Sequence, residues 1–183
     1  MGVAETAKIG SQYHTKQECY VQALTLNPMH ADAWYNLGLS LVAGRTAQVK
    51  DQPYTQKQCY VQAVTLDSKI ADFWNRLGEC FAPEDAVQIG HQLYTQQQCY
   101  VQALTLYPQH ADAWNNLGNS LGIGEVAHVQ DQPCTKQQCY VQALALDPQH
   151  ADAWKSLGVS LNAGPGWDSD SHKAGMLRSG IDF

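Results

Sequence analysis

The chain has 183 residues, 44% of them hydrophobic and 15% charged, with a net charge of −6. That acidic balance argues against a nucleic-acid role that depends on neutralising phosphates. No apolar run approaches the roughly 18 residues a membrane span requires, and the start, MGVAETAKIG, has neither the basic nor the apolar region of a secretory signal.

Residues 1–13 read as the second half of a connector, because Ala7–Ser11 aligns with Ala127–Asp131. The opening MGVAET also fits the M-G-x-x-x-[ST] pattern for myristoylation of Gly2. Gly2–Thr6 aligns equally with Gly122–Val126, so repetition accounts for most of that match.

From 14 to 162 the chain repeats. The stretch Cys99–Leu121, CYVQALTLYPQHADAWNNLGNSL, has close copies starting at Cys19, Cys59 and Cys139, a period of 40 residues. A fixed period of about 20–50 residues marks a solenoid or propeller array. Each copy opens on a segment termed helix B, predicted at 15–26, 55–66, 95–106 and 135–146. Thr15, Thr55, Thr95 and Thr135 are followed three residues later by Glu18, Gln58, Gln98 and Gln138. This is the capping box, in which hydroxyl and carboxylate or amide satisfy orphan backbone N–H groups reciprocally. Cys59, Tyr60, Ala63, Val64 and Leu66 then share one side at helical spacing. The pairs Asn27–Pro28, Asp67–Ser68, Tyr107–Pro108 and Asp147–Pro148 end the helix.

Helix A follows, predicted at 30–42, 70–82, 110–122 and 150–162. Asp32, Asp72, Asp112 and Asp152 fall in its first turn, where a carboxylate complements the helix dipole. Ala33, Trp34, Leu37, Gly38 and Leu41 form one apolar stripe. Gly38, Gly78, Gly118 and Gly158 each cost a helix about 1 kcal/mol relative to alanine. Placing that cost at the same point in every copy implies a close approach by helix B that a Cβ would block.

Between helix A and the next helix B, two short alternating stretches flank Lys50–Asp51, Gly90–His91 and Gln130–Asp131, which predicts a small β-hairpin within 45–54 and 85–94 and in the third connector. Pro53 and Pro133 belong on an edge or at a strand end. Residues 163–183 break the pattern and are expected to form a flexible tail, with Trp167 as its one anchor.

The six cysteines include no C-x-x-C pair. Cys19, Cys59, Cys99 and Cys139 simply mark the repeat, while Cys80 and Cys134 replace Ser or Tyr of other copies, so thiols packed as small hydrophobes in a cytoplasmic protein are expected. His30, His110 and His150 recur before helix A. Copies one repeat step apart, roughly 10 Å or more, cannot share an ion whose ligands sit about 2 Å away, so helix-start polar residues are expected and no metal or other cofactor. No phosphate loop or nucleophile motif occurs, and the chain is read as non-enzymatic.

The pattern W-x-x-L-G-x-x-L with Y-x-x-A-L-x-L-x-P resembles the tetratricopeptide repeat. The matching residues are Trp74, Leu77, Gly78 and Phe81 on helix A, then Tyr100, Ala103, Leu104, Leu106 and Pro108 on helix B. The period exceeds the family's 34 by about six residues, all between A and B, and the family's small residue near the start of helix B is replaced by Lys16, Gln56, Gln96 and Lys136. The resemblance implies an all-α fold: a right-handed superhelical solenoid of helix-turn-helix repeats, here with short β-hairpin insertions, and helix A lining the concave face.

It further implies a protein–protein interaction scaffold that holds an extended peptide or helix of a partner in that groove. The candidate residues stand one, two and five places after each Trp: Tyr35, Asn36 and Leu39; Asn75, Arg76 and Glu79; Asn115, Asn116 and Asn119; Lys155, Ser156 and Val159. An asparagine amide can donate to and accept from a peptide backbone together. The asparagines resemble the ladder in the repeats of O-linked N-acetylglucosamine transferase, interrupted here by Arg76 and Ser156. The carboxylate clamp of chaperone-binding members needs several cations, and only Arg76 and Lys155 are at hand. The alternative is a self-associating structural repeat module, an end-to-end or swapped oligomer, since the unpaired helix B and helix A at the two ends leave half-buried faces for a homo-oligomer.

Overall fold

The computed structural model describes residues 6–82 and 84–161; the tail expected at 163–183 and the Gly2 pattern lie outside the described residues. Among the described residues four two-stranded hairpins alternate with four pairs of helices. The first hairpin, β1 (Thr6–Ile9) with β2 (Gln12–Thr15), leads into α1 (Lys16–Leu26). Then come α2 (Ala31–Ser40), β3 (Thr46–Val49), β4 (Gln52–Thr55), α3 (Gln56–Leu66) and α4 (Ala71–Glu79). Next are β5 (Ala86–Ile89), β6 (Gln92–Thr95), α5 (Gln96–Leu106) and α6 (Ala111–Ser120). The last are β7 (Val126–Val129), β8 (Gln132–Thr135), α7 (Lys136–Leu146) and α8 (Ala151–Leu161). The odd-numbered helices are the B helices and the even-numbered ones the A helices.

Each B helix starts in a complete capping box. In α3, for example, Gln58 N–H donates to Thr55 Oγ1 at 3.2 Å and Thr55 N–H to Gln58 Oε1 at 2.8 Å. The A helices of the first three copies stop short of the predicted spans, because Leu41 and Leu121 turn extended and Cys80 leaves the helical region.

The hairpins pair antiparallel in one register throughout, as in Thr46↔Thr55 to Val49↔Gln52. Two kinds of turn close them. Lys50–Asp51 and Gln130–Asp131 hold both central residues at positive φ (49° and 65° in each), as a type I′ turn demands. At Gly10–Ser11 and Gly90–His91 only the glycine is left-handed, which fits type II′. Ala47 and Val49 of β3, and Ala127 and Val129 of β7, point inward and are buried. These strands pack on α1 and α5, the B helices of the preceding copies. The six additional residues thus add a tie between neighbouring units that two plain helices would lack.

The core is a single run of buried side chains from Leu24 to Ala153. Its recurring unit explains the helix A glycines. A Cβ on Gly38, Gly78 or Gly118 would stand 2.6 Å from Cε1 of Tyr60, Tyr100 or Tyr140. These rings, on the B helix that follows, lie flat against bare helix backbone and are almost fully buried. The close approach is by a ring, and glycine makes its seat.

Two of the residues that replace a small side chain at the start of helix B, Gln56 and Gln96, also gain a reason. Gln56 Nε2 donates to the carbonyls of Gly38 and Leu41, both at 3.1 Å, and Gln96 Nε2 to those of Gly78 and Phe81, both at 3.2 Å. They cap the end of the preceding A helix, adding a donor to the Gly38 and Gly78 carbonyls, which also accept from Leu41 and Phe81 N–H, and to the carbonyls of Leu41 and Phe81. Each repeat Trp donates its indole N–H to the carbonyl six residues earlier, at 2.7–2.9 Å, which ties the B–A turn to helix A. Trp34 and Trp74 are covered from the other side by Tyr54 and Tyr94 of the hairpins, with ring centroids 4.6 Å apart.

Candidate functional site

In α2, α4 and α6 the Trp, Leu and Gly of the motif are buried, so what remains for another molecule is set by the other side of the same helix. The positions two and five after Trp remain partly or fully open: Asn36 and Arg76 are half-buried, as is Asn116, while Leu39, Glu79 and Asn119 are exposed. The position directly after Trp differs. Asn75 is 1% exposed and Asn115 5%, which corrects the expectation that their amides are presented to a ligand. They are covered because neighbouring A helices pack side by side, α4 on α6 and α6 on α8. Helical periodicity within one copy does not report that cover.

Tyr35, the equivalent in the first copy, is half-buried and stacks on Phe73 with centroids 4.8 Å apart and planes at 29°. Burial pushes its hydroxyl pKa up, and Arg76 beside it works in the other direction. Lys155 is exposed and pairs with Asp152 at 2.8 Å; Ser156 is half-buried and Val159 exposed.

The central candidates form one connected polar network across two A helices. Asn75 Nδ2 donates to Glu79 Oε1 at 3.1 Å, and Asn116 Nδ2 donates to both Asn75 Oδ1 and Glu79 Oε1 at 3.1 Å. Arg76 donates to Glu79 Oε2 at 2.8 Å. Burial disfavours the Arg76 charge, but the carboxylate of Glu79 outweighs it, and the net shift is upward. The arrangement is a ladder: the position after Trp in one unit meets the second position after Trp in the next. Its following rung is incomplete. Asn115 Oδ1 is buried and has no hydrogen-bond partner, because Ser156 stands where Asn116 stands one repeat earlier. Farther along, Tyr140 Oη donates to Asn119 Oδ1 at 2.9 Å.

Two features escaped sequence reasoning. His110 Nδ1 accepts from Ala113 N–H at 3.4 Å as an N-cap, and its Nε2 lies 2.9 Å from Asp72 Oδ1 of the preceding unit. His150 repeats this with Ala153 and Asp112. With Nδ1 accepting, the proton sits on Nε2 and donates to the carboxylate. The signal was present, a His and an Asp held 38 residues apart twice over, but it was read within one helix instead of across two. The second is an open pocket of about 390 Å³ beside the B–A turns, lined by Lys69, Ile70, Leu106, Tyr107 and His110. Among the described residues no group of three His, Cys, Asp or Glu side chains could hold a metal ion.

Residues 17–48, which span most of α1, all of α2 and most of β3, match the family model of the tetratricopeptide repeat. The three further copies carry the same Trp, Leu-Gly and Tyr-x-x-Ala spacing as that matched stretch. Their Trp, Leu-Gly and Tyr-x-x-Ala residues are those that build the junctions described above. Among solved structures, the crystal structure of MamA matches with a TM-score of 0.54 and 17% identity, over 80% of this chain and 75% of that one. That likeness concerns the fold. No curated protein matches the chain. Tetratricopeptide repeats generally mediate protein–protein interaction, and proteins built of them are generally non-enzymatic scaffolds. Among the described residues no helix is long and apolar enough to cross a membrane.

Proposed function

We propose that this chain is a non-enzymatic cytoplasmic scaffold whose A helices hold an extended peptide of a partner protein. In this reading the array winds as a right-handed superhelix with helix A on its concave side. The observation that supports it is the network joining Asn75, Arg76, Glu79 and Asn116. It fixes long polar side chains in place before a ligand arrives, which lowers the ordering cost of binding. Asn116 and Asn119, with Arg76 and Asn36, offer donors and acceptors to a peptide main chain. Asn75 and Asn115 act from behind, and Tyr35 and Lys155 flank the strip. Cytoplasmic placement is supported by six cysteines that are all free thiols.

The test is selection of binding peptides from a random display library on the intact chain. Their affinity is then measured for Arg76→Ala and Asn119→Ala. Selected peptides should lose more than about tenfold in affinity with each variant, helical content being unchanged. Peptides indifferent to both variants but sensitive to Tyr107→Ala would move the site to the turn pocket and refute the groove.

A further inference from the structure

At each of three internal junctions one A helix receives the following B helix, and the same contacts recur. Gly38, Gly78 and Gly118 seat Tyr60, Tyr100 and Tyr140. Leu41, Phe81 and Leu121 close the seat at no more than 7% exposure, and Cys59, Cys99 and Cys139 are fully enclosed. Gln56 and Gln96 bond the carbonyls of the helix before them.

Both halves of this junction recur unpaired in the same chain. On α8 nothing among the described residues lies within 4 Å of a Cβ built on Gly158. Trp154 is 56% and Leu161 50% exposed, where the equivalents Trp74 and Phe81 are 3% and 7%. On α1 the face that is buried in α3, α5 and α7 is open: Cys19 and Lys16 are exposed, and Tyr20 and Ala23 are only half-buried. The uncovered helix A end and the uncovered helix B end are therefore the two sides of one contact already made three times.

We propose that this chain assembles head to tail, with α1 and the β1–β2 hairpin of one copy docked on α8 of the next. Tyr20 enters the Gly158 seat. His14, which stands where Tyr54 and Tyr94 stand, covers Trp154. Lys16 takes the place of Gln56 and Gln96 over the carbonyls of Gly158 and Leu161. Charge favours this placement, since an ammonium meets the negative end of a helix. The contact continues an interface established within the chain, so the occupant is a second copy. It is heterologous, which makes open chains of copies or closed rings instead of a two-fold dimer.

The test is sedimentation of the intact chain over a concentration series, with two blocked variants. Gly158→Leu fills a seat that is empty within a copy, and Tyr20→Asp places a charge on the docking face; far-ultraviolet circular dichroism checks that both fold. The wild type should grow in mass with concentration, while each variant should lose more than about tenfold in association constant. Mixing the variants should yield a one-to-one dimer that grows no further, because each retains one working end. Maleimide labelling of Cys19 should slow as the wild type assembles. A chain that stays monomeric at high micromolar concentration leaves α8 to another occupant, its own C-terminal residues or a different protein, and overturns the proposal. So do variants that assemble like the wild type, or a mixture that stays monomeric.

Discussion

Replacing Gly78 by alanine sets two effects of similar size against each other. In a helix interior alanine is favoured over glycine by about 1 kcal/mol. Here the new methyl would stand 2.6 Å from Tyr100 Cε1 and 3.0 Å from Cδ1 and Cζ. That is roughly 0.8 Å inside ordinary contact, against a ring only 3% exposed and held from behind by the core. Overpacking of a well-filled core costs about 1–3 kcal/mol, and a contact this short belongs at the upper end. The net expectation is a loss of about 1–2 kcal/mol, or roughly 2–8 °C in Tm for a domain of this size. Gly158→Ala is the control, since nothing among the described residues lies near its Cβ and stabilisation of up to about 1 kcal/mol is expected. Urea and thermal unfolding at low micromolar concentration read both variants. If Gly78→Ala and Gly158→Ala shift stability in the same direction, the ring-on-glycine junction is not what fixes this residue.

The type I′ turns carry non-glycine residues at positive φ, so Lys50→Asn with Asp51→Gly should raise stability by about 1 kcal/mol, measured as a urea midpoint; no change would show that the hairpin adds nothing to the folded array. Ser156→Asn should supply the donor that Asn115 Oδ1 lacks and stabilise by about 1 kcal/mol, read as a urea midpoint; no gain would show that the buried oxygen is not reached from that position. Burial pushes the Cys59 and Cys99 thiols up to about 12, above the value of an unfolded thiol. Above about pH 9 the unfolded chain therefore releases protons that the folded chain retains. The associated stability is complete below that pH and is lost as pH rises towards 12, so the urea midpoint should fall across this window. A midpoint unchanged to pH 10.5, about one unit and a half into the window, would contradict the burial of these thiols.

The repeat, the capping boxes and the hairpins were legible because each is local: a Thr and a Gln three places apart, or alternation around a turn pair, acts within a dozen residues. Burial of Trp74 and Trp114 was legible from the stripe they share with Leu and Gly. The glycines announced a close approach, but not that Tyr60, Tyr100 and Tyr140 supply it, since seat and ring lie 22 residues apart on different helices. The candidate site was only half legible. Asn75 and Asn116 lie on the same side of equivalent helices, yet one is enclosed by the neighbouring A helix and the other bridges to it. Which of two adjacent positions meets the next unit depends on the angle between units, and no single copy encodes that angle. The His–Asp pairs were hidden for the same reason: their partners belong to successive copies.

The tryptophan of each unit gives the array a spectroscopic address. Trp34, Trp74 and Trp114 share one hydrogen bond and are nearly closed to solvent, whereas Trp154 makes the same bond at 56% exposure. Their emission should differ chiefly in how readily a dissolved quencher reaches the ring. Replacing Trp167 and, in turn, three of these four by phenylalanine would leave one lamp lit in a chosen unit. The order in which those lamps become quenchable on heating would trace how loss of structure travels along the array, end first or everywhere at once.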